Sequence, residues 1–369
     1  MRVLLVTGVV AGGVGRHVEM LARGLADRGH DVTVACPREV ADRFALGGSV
    51  VDLRVGAGPH PVHDLRALAT LRRVMTRTDV VHAHGLRAGA LAVAARASLG
   101  SRRRRRPRLV VTSHNAPPEG RAARAVYLLL EAVVARGADL VLAVSPDLVA
   151  RARSAGATRT TLAVVPAAHT GRLEPQVARG ELGAELGLGP EEQVVLAVGR
   201  LAPQKRLGLA VEAHAHLLGG AGAAAPHLVI AGEGPGRADL EAVAAQPRSR
   251  VHLLGHRQDV PALLAAADVV LSTARWEGQP VWLQEALQQG AAVVATDVGG
   301  TAQVVSDAAV LLPADVGPVQ VAAEVRRVLE DAALRADLRR RALARAAELP
   351  TEDDALEAAF TAYLGNDVD

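Results

Sequence analysis

Short apolar runs alternate with helix-period segments from one end of this 369-residue chain to the other. Strands that read as continuous hydrophobic runs are buried on both faces, and the amphipathic segments between them are long enough to serve as crossover helices, so the pattern points to βαβ units and parallel sheets. In the first half the expected strands are Val3–Val6, Val32–Ala35, Val80–Ala83, Leu109–Thr112, Leu140–Val144 and Thr161–Val165. In the second half they are Val194–Val198, His227–Ala231, Val251–Leu254, Val269–Ser272, Ala292–Ala295 and Ala309–Leu311. Between Pro166 and Pro190 the chain is rich in Gly, Pro and charge with little apolar periodicity, which marks a boundary. The fold class is therefore α/β, with two similar domains facing a cleft, residues 1–168 and 169–353. Hydrophobic residues make up 50% of the chain and aromatics only 2%, so the cores are built of Ala, Val and Leu.

Lys205 is the only lysine, and it stands in Gly199-Arg200-Leu201-Ala202-Pro203-Gln204-Lys205-Arg206, directly after an apolar strand. An arginine fork and a lysine point charge at the carboxyl end of a parallel strand suit the oxygens of a diphosphate, although a solvated strand-to-helix loop would look similar. A second segment, Trp276 to Leu287, carries two glutamates on either side of a loop-to-helix junction. With Pro280 at the first helical position and Gly290 just past the last, a helix is expected over Pro280–Gln289. Glu277 then lies in the loop and Glu285 inside the helix among apolar neighbours, where a carboxylate needs a partner. The free amides around Val281 and Trp282 would point at a phosphate, with one carboxylate for sugar hydroxyls and the other for ribose.

These segments resemble the retaining, nucleotide-sugar-dependent glycosyltransferases of family 4. Further matching pieces occur in order along nearly the whole chain: Gly12-Gly13-Val14-Gly15-Arg16-His17, His82-Ala83-His84-Gly85, Thr112-Ser113-His114-Asn115, Gly232-Glu233-Gly234-Pro235, Gly255-His256 and Asp297-Val298-Gly299-Gly300. The resemblance implies a GT-B fold of two Rossmann-like domains, with the last helix, about 354–369, packing back on the first. It implies that Arg200 and Lys205 stabilise the departing diphosphate, Glu277 holds the sugar, Glu285 the ribose, and His114 faces the transferred sugar. Gly13, Gly199, Gly232, Gly255, His256, Val281 and Trp282 would bind the donor, and Gly12, Gly15, Arg16 and His84 would lie on the acceptor side. It implies no metal and no cofactor beyond the nucleoside diphosphate sugar as co-substrate. Gln279 and Trp282 depart from the family pattern beside the sugar pocket, which leaves the donor open.

Other functions fit less well. The amino-terminal glycines match a dinucleotide fingerprint poorly in spacing, and Cys36-Pro37-Arg38 stands where an acid should hold a ribose. His82 and His84 form an H-x-H pair without a third ligand at a supporting spacing, so a metal site is not expected. A GT-B epimerase of sugar nucleotides and a silent nucleotide-binding partner are the alternatives from other classes. The isoelectric point near 9.7 contrasts with a net charge of only +3, so the basicity is local. Arg66, Arg72, Arg73 and Arg77, with Arg102–Arg106 and Arg108, would attract anionic lipid headgroups or form a solvated surface. Nucleic acid is not an expected partner, because no aromatic residues interleave with the arginines. A single cysteine, Cys36, and no apolar run approaching the roughly 20 residues of a membrane span point to a cytoplasmic protein, at most peripheral on the membrane face. Val3–Val10 reads as a first strand rather than a signal peptide.

Overall fold

The structure, a computed structural model, describes residues 1–10, 12–56, 58, 60–100, 106–221, 225–247 and 249–365. The chain divides into two units, Met1–Pro166 with Pro350–Asp369, and Ala167–Leu349. The first contains strands β1 Arg2–Thr7, β2 Asp31–Cys36, β3 Ser49–Asp52, β4 Val80–His84, β5 Arg108–Ser113, β6 Leu140–Ala143 and β7 Thr160–Leu162. Its helices are α1 Gly13–Asp27, α2 Arg38–Arg43, α3 Pro61–Met75, α4 Leu86–Ala97, α5 Arg121–Gly137, α6 Pro146–Ser154 and the carboxyl-terminal α15 Glu352–Leu364. The second unit contains β8 Val194–Val198, β9 His227–Ala231, β10 Val251–Gly255, β11 Val269–Ser272, β12 Val293–Thr296 and β13 Ala309–Leu312. Around them lie α7 Pro175–Leu186, α8 Leu207–Ala221, α9 Arg237–Ala244, α10 Val260–Ala266, α11 Val281–Gln288, α12 Thr301–Val305, α13 Pro318–Glu330 and α14 Ala332–Glu348.

Both sheets are parallel. The strand order is β3-β2-β1-β4-β5-β6-β7 in one and β10-β9-β8-β11-β12-β13 in the other. Each order reverses once, between β1 and β4 and between β8 and β11, and in such sheets the loops leaving the strands at the reversal form the ligand crevice. Alternate residues along the strands feed cores on opposite faces. In the second unit Val195, Ala197, Leu228, Ile230 and Leu271 belong to one cluster, and Val194, Leu196, Val229, Val270 and Val293 to the other.

Two elements differ from the sequence reading. The edge strand β3 is short and exposed, so it carries no apolar run, and its pairing with β2 is what makes it a strand. Helix α7 lies in the stretch expected to be irregular; its two glycines weaken the helical signal, yet Ala178 and Leu182 are buried and hold it on the unit. Helix α15 begins with a capping box between Thr351 and Asp354 and packs on α1. Gly24 makes that packing possible, since a Cβ there would fall 2.3 Å from Leu356 Cδ1.

Candidate active site

The second unit gathers its conspicuous residues at the carboxyl edge of the sheet. After β8 the chain turns at Gly199 and runs on through Leu201, whose amide donates to Glu233 O at 2.9 Å and whose carbonyl accepts from Gly236 N at 2.8 Å. The amide of Gly232 donates to Gly255 O at 2.7 Å, so the loops after β8, β9 and β10 are stitched side by side. Gly232 has to be glycine: its φ is +155°, and a Cβ would lie 1.8 Å from Gly199 O. The β8 loop then forms a 3₁₀ turn, Pro203–Lys205, and leaves through Arg206 at φ +47°, a conformation costly for a side-chain-bearing residue. Thr273 Oγ1, at the end of β11, pins that turn by donating to Lys205 O at 3.1 Å or Arg206 O at 3.0 Å. Gln204 ties the two loops again, accepting from Arg275 N and donating to Trp276 O, both at 2.8 Å.

The result of this stitching is one contact between residues 72 positions apart: Lys205 Nζ meets Glu277 Oε1 at 2.5 Å. The Glu277 side chain is 7% exposed and that of Lys205 19%. A pair this sheltered is held for its geometry, because the desolvation cost offsets most of the Coulombic gain. The carbonyl of Glu277 accepts from Gly300 N at 3.1 Å, and a Cβ on Gly299 would stand 1.7 Å from that same oxygen. Arg200 and His256 are exposed beside these loops, and neither side chain has a partner among the described residues.

Helix α11 starts at Val281, with Pro280 as its N-cap rather than its first helical residue. The first amides to donate within it are those of Leu283 and Gln284, both to Pro280 O, which leaves those of Val281 and Trp282 available to an anion. Glu285 is 4% exposed on the inward face, and the indole of Trp282 packs against the apolar core with its Nε1 unbonded. Three glutamines of this region, which sequence reasoning passed over, anchor the first residues of the unit. Gln284 Oε1 accepts from Ala167 N, Gln288 Oε1 from Thr170 N and Gln289 Oε1 from Leu173 N.

The first unit brings four histidines together at its own reversal point. His84 ends β4, His114 follows β5, and His84 Nδ1 lies 3.2 Å from His114 Nε2. His17, on α1, sets its ring edge-on to His84 at 5.7 Å between centroids. His82 is held on both nitrogens, Nδ1 by Tyr363 Oη of α15 and Nε2 by Thr112 Oγ1, each at 2.7 Å. Burial pushes all four rings below the usual histidine range, His17 to about 4 and His114 to about 3, so they are neutral at physiological pH. Tyr363 carried no sequence signal, being an isolated polar residue on an apolar helix face, and His17 stood within the amino-terminal matching segment without a role of its own.

The remaining residues expected on the acceptor side are placed less specifically. Gly12 caps α1 at φ +58°, Gly13 begins the helix, and Arg16 is exposed. Gly15 lies under the Phe44 ring, where a Cβ would come within 2.1 Å, which is a packing reason for glycine. Of the arginine run, Arg102–Arg105 lie outside the described residues, and Arg108 turns its Nε onto Ala362 O at 2.7 Å. Arg66, Arg72, Arg73 and Arg77 are exposed on and just after α3.

Residues 12–168 match a family model described as a glycosyl transferase 4-like domain, and residues 179–345 match one described as glycosyl transferases group 1. The chain is 31% identical over 198 residues to alpha-D-kanosaminyltransferase of Streptomyces kanamyceticus, covering 52% of this chain and 49% of that protein. It is 26% identical over 250 residues to the UDP-Gal:alpha-D-GlcNAc-diphosphoundecaprenol alpha-1,3-galactosyltransferase of Escherichia coli, covering 65% and 63%. The matches therefore span between about half and just under two thirds of these relatives. Among solved structures, HepE of Anabaena in complex with UDP superposes with a TM-score of 0.80 at 20% identity, over 99% of this chain and 100% of that one. Two parallel-sheet units, each with its loops gathered where the strand order reverses, and two family models that between them cover most of the sequence, place the chain among the group 1 glycosyltransferases of GT-B fold.

Proposed function

We propose that the protein transfers a sugar from a nucleoside diphosphate sugar, with UDP or GDP as the nucleotide, to an acceptor hydroxyl with retention of anomeric configuration and without a metal. The observation that carries this reading is the Lys205–Glu277 pair at 2.5 Å, set beside the unbonded amides of α11 and the exposed guanidinium of Arg200. Lysine has three N–H donors, so Lys205 can keep Glu277 in place while turning another N–H toward a diphosphate oxygen. Glu277 has a second carboxylate oxygen for sugar hydroxyls. Glu285 would take the ribose, and Gly255 with His256 the base. As the anomeric C–O bond breaks, its electrons pass to the diphosphate, whose new charge Arg200, Lys205 and the α11 amides stabilise in place. The acceptor oxygen bonds to the anomeric carbon on the same face, and its proton goes to the leaving diphosphate oxygen. The name of the Escherichia coli relative and the UDP held by HepE are consistent with a UDP-sugar donor.

The test is a melting-temperature screen with UDP, GDP, ADP and their sugar conjugates, in chelator and then in magnesium. A nucleotide at 100 times its Kd should stabilise the second unit by about 2.7 kcal/mol. A sugar conjugate that both stabilises and is turned over to a product of unchanged anomeric configuration supports the reading; no response to any nucleotide sinks it, and stabilisation without turnover favours a silent nucleotide-binding partner.

A membrane-bound acceptor is a second reading with its own observation. On α5, Val126, Leu128 and Leu129 are 40%, 44% and 65% exposed, next to exposed Arg121 and Arg124. On α3, which packs beside α4 as α5 does, Val62 and Leu65 are also exposed, near Arg66. Apolar side chains interspersed with arginine suit the headgroup boundary of an anionic bilayer. Sedimentation with anionic vesicles should pull down the wild type and not Leu128→Glu with Leu129→Glu; equal recovery of both would remove this reading.

A further inference from the structure

We propose that His84 is a positioning residue that fixes His114 as a neutral imidazole with its proton on Nδ1, so that His114 offers an N–H donor, and no base, to a ligand oxygen. The inference rests on the reading above that His114 faces the transferred sugar. Its physical basis is proton accounting in a sealed place. His84 and His114 are 2% and 8% exposed, and their contact, His84 Nδ1 to His114 Nε2 at 3.2 Å, needs one proton between two neutral rings.

That proton sits on one ring or the other, and the choice sets every remaining nitrogen. If His114 Nε2 donates, then His84 carries its proton on Nε2. That atom is buried and has no hydrogen-bond partner, so a donor N–H would be stranded, which folded proteins rarely tolerate. If His84 Nδ1 donates, Nε2 of His84 is a bare acceptor, and His114, accepting on Nε2, must hold its own proton on Nδ1. His114 Nδ1 is free of partners among the described residues and is not among the buried unbonded atoms, so this N–H is the one nitrogen of the pair left to a ligand. The His84 ring is kept in register by its neighbours: His82 lies 4.2 Å away, itself fixed at both nitrogens, and His17 closes the other side. An orienting bond of this kind selects the tautomer of the ring that does the work.

Two-bond ¹⁵N–¹H correlation spectra of histidine-labelled full-length protein distinguish the tautomers without any substrate, with His114 assigned by its loss in His114→Gln. The wild type should show the Nδ1–H pattern for His114, and His84→Leu a mixed or Nε2–H pattern. His84→Gln, whose amide can donate in place of Nδ1, should restore the wild-type pattern. An Nε2–H pattern in the wild type, or an unchanged pattern in His84→Leu, overturns the proposal, and the wild-type spectrum decides even if His84→Leu does not fold. In transfer assays His84→Leu should lower kcat by about tenfold or more with little change in donor KM, the scale on which loss of an orienting partner is felt. A wild type that transfers no sugar would defeat the proposed function but leave the spectra to decide the tautomer.

Discussion

Lys205 and Glu277 stand or fall together. Replacing Lys205 with alanine leaves a carboxylate 7% exposed without its cation, which should cost about 3–5 kcal/mol in the second unit. The double variant with Glu277→Ala should lose less than the sum of the single changes, which urea titration of all four proteins would read as a coupling energy. A strictly additive result would mean that the pair does not hold the loops together. Gly299→Ala should be as damaging for another reason, because at φ +57° the new Cβ would displace the Glu277 carbonyl. Its melting point and its nucleotide affinity should fall together. Both charged residues were conspicuous in the sequence, one as the sole lysine and the other paired with a second acid across a helix start. Thr273, Gln204 and Gln284 were not, because a polar side chain that ties two loops together has no period and no fixed spacing to betray it.

Elements were legible where burial wrote a pattern. The central strands stand within a residue or two of the apolar runs that announced them, whereas β3, exposed at an edge, and α7, diluted by glycine, are set by contacts remote in sequence. Helix α15 extends this lesson, since nothing in its sequence says that Tyr363 caps a histidine. Tyr363→Phe should strand His82 Nδ1 and cost about 1–3 kcal/mol, visible as a lower melting point of the first unit. The histidine group also sets the acid response of that unit. Its rings are neutral in the fold, while the unfolded chain takes up protons below about pH 6.5, so stability is fully present above that value and is lost as the pH falls. For His17, with its pKa near 4, the loss amounts to roughly 3 kcal/mol between pH 6.5 and 4. Urea midpoints at neutral and acid pH should converge in His17→Leu relative to wild type; an identical slope would deny His17 that role.

At the scale of the whole molecule, each unit closes its own hydrophobic clusters around its own sheet. Calorimetry should therefore resolve more than one transition, the nucleotide raising that of the second unit and acid lowering that of the first. A single transition moved equally by both would show that the units unfold as one. The lone lysine has a last consequence, for digestion. A protease that cuts only after lysine has one target bond in this chain, Lys205–Arg206, within the turn that Thr273 pins from β11. Folded protein should resist it, and a nick yielding fragments of 205 and 164 residues (369 minus 205) would count openings of that one loop. The rate of this single cut is thus a clock for the proposed donor site, and a bound nucleotide should slow it.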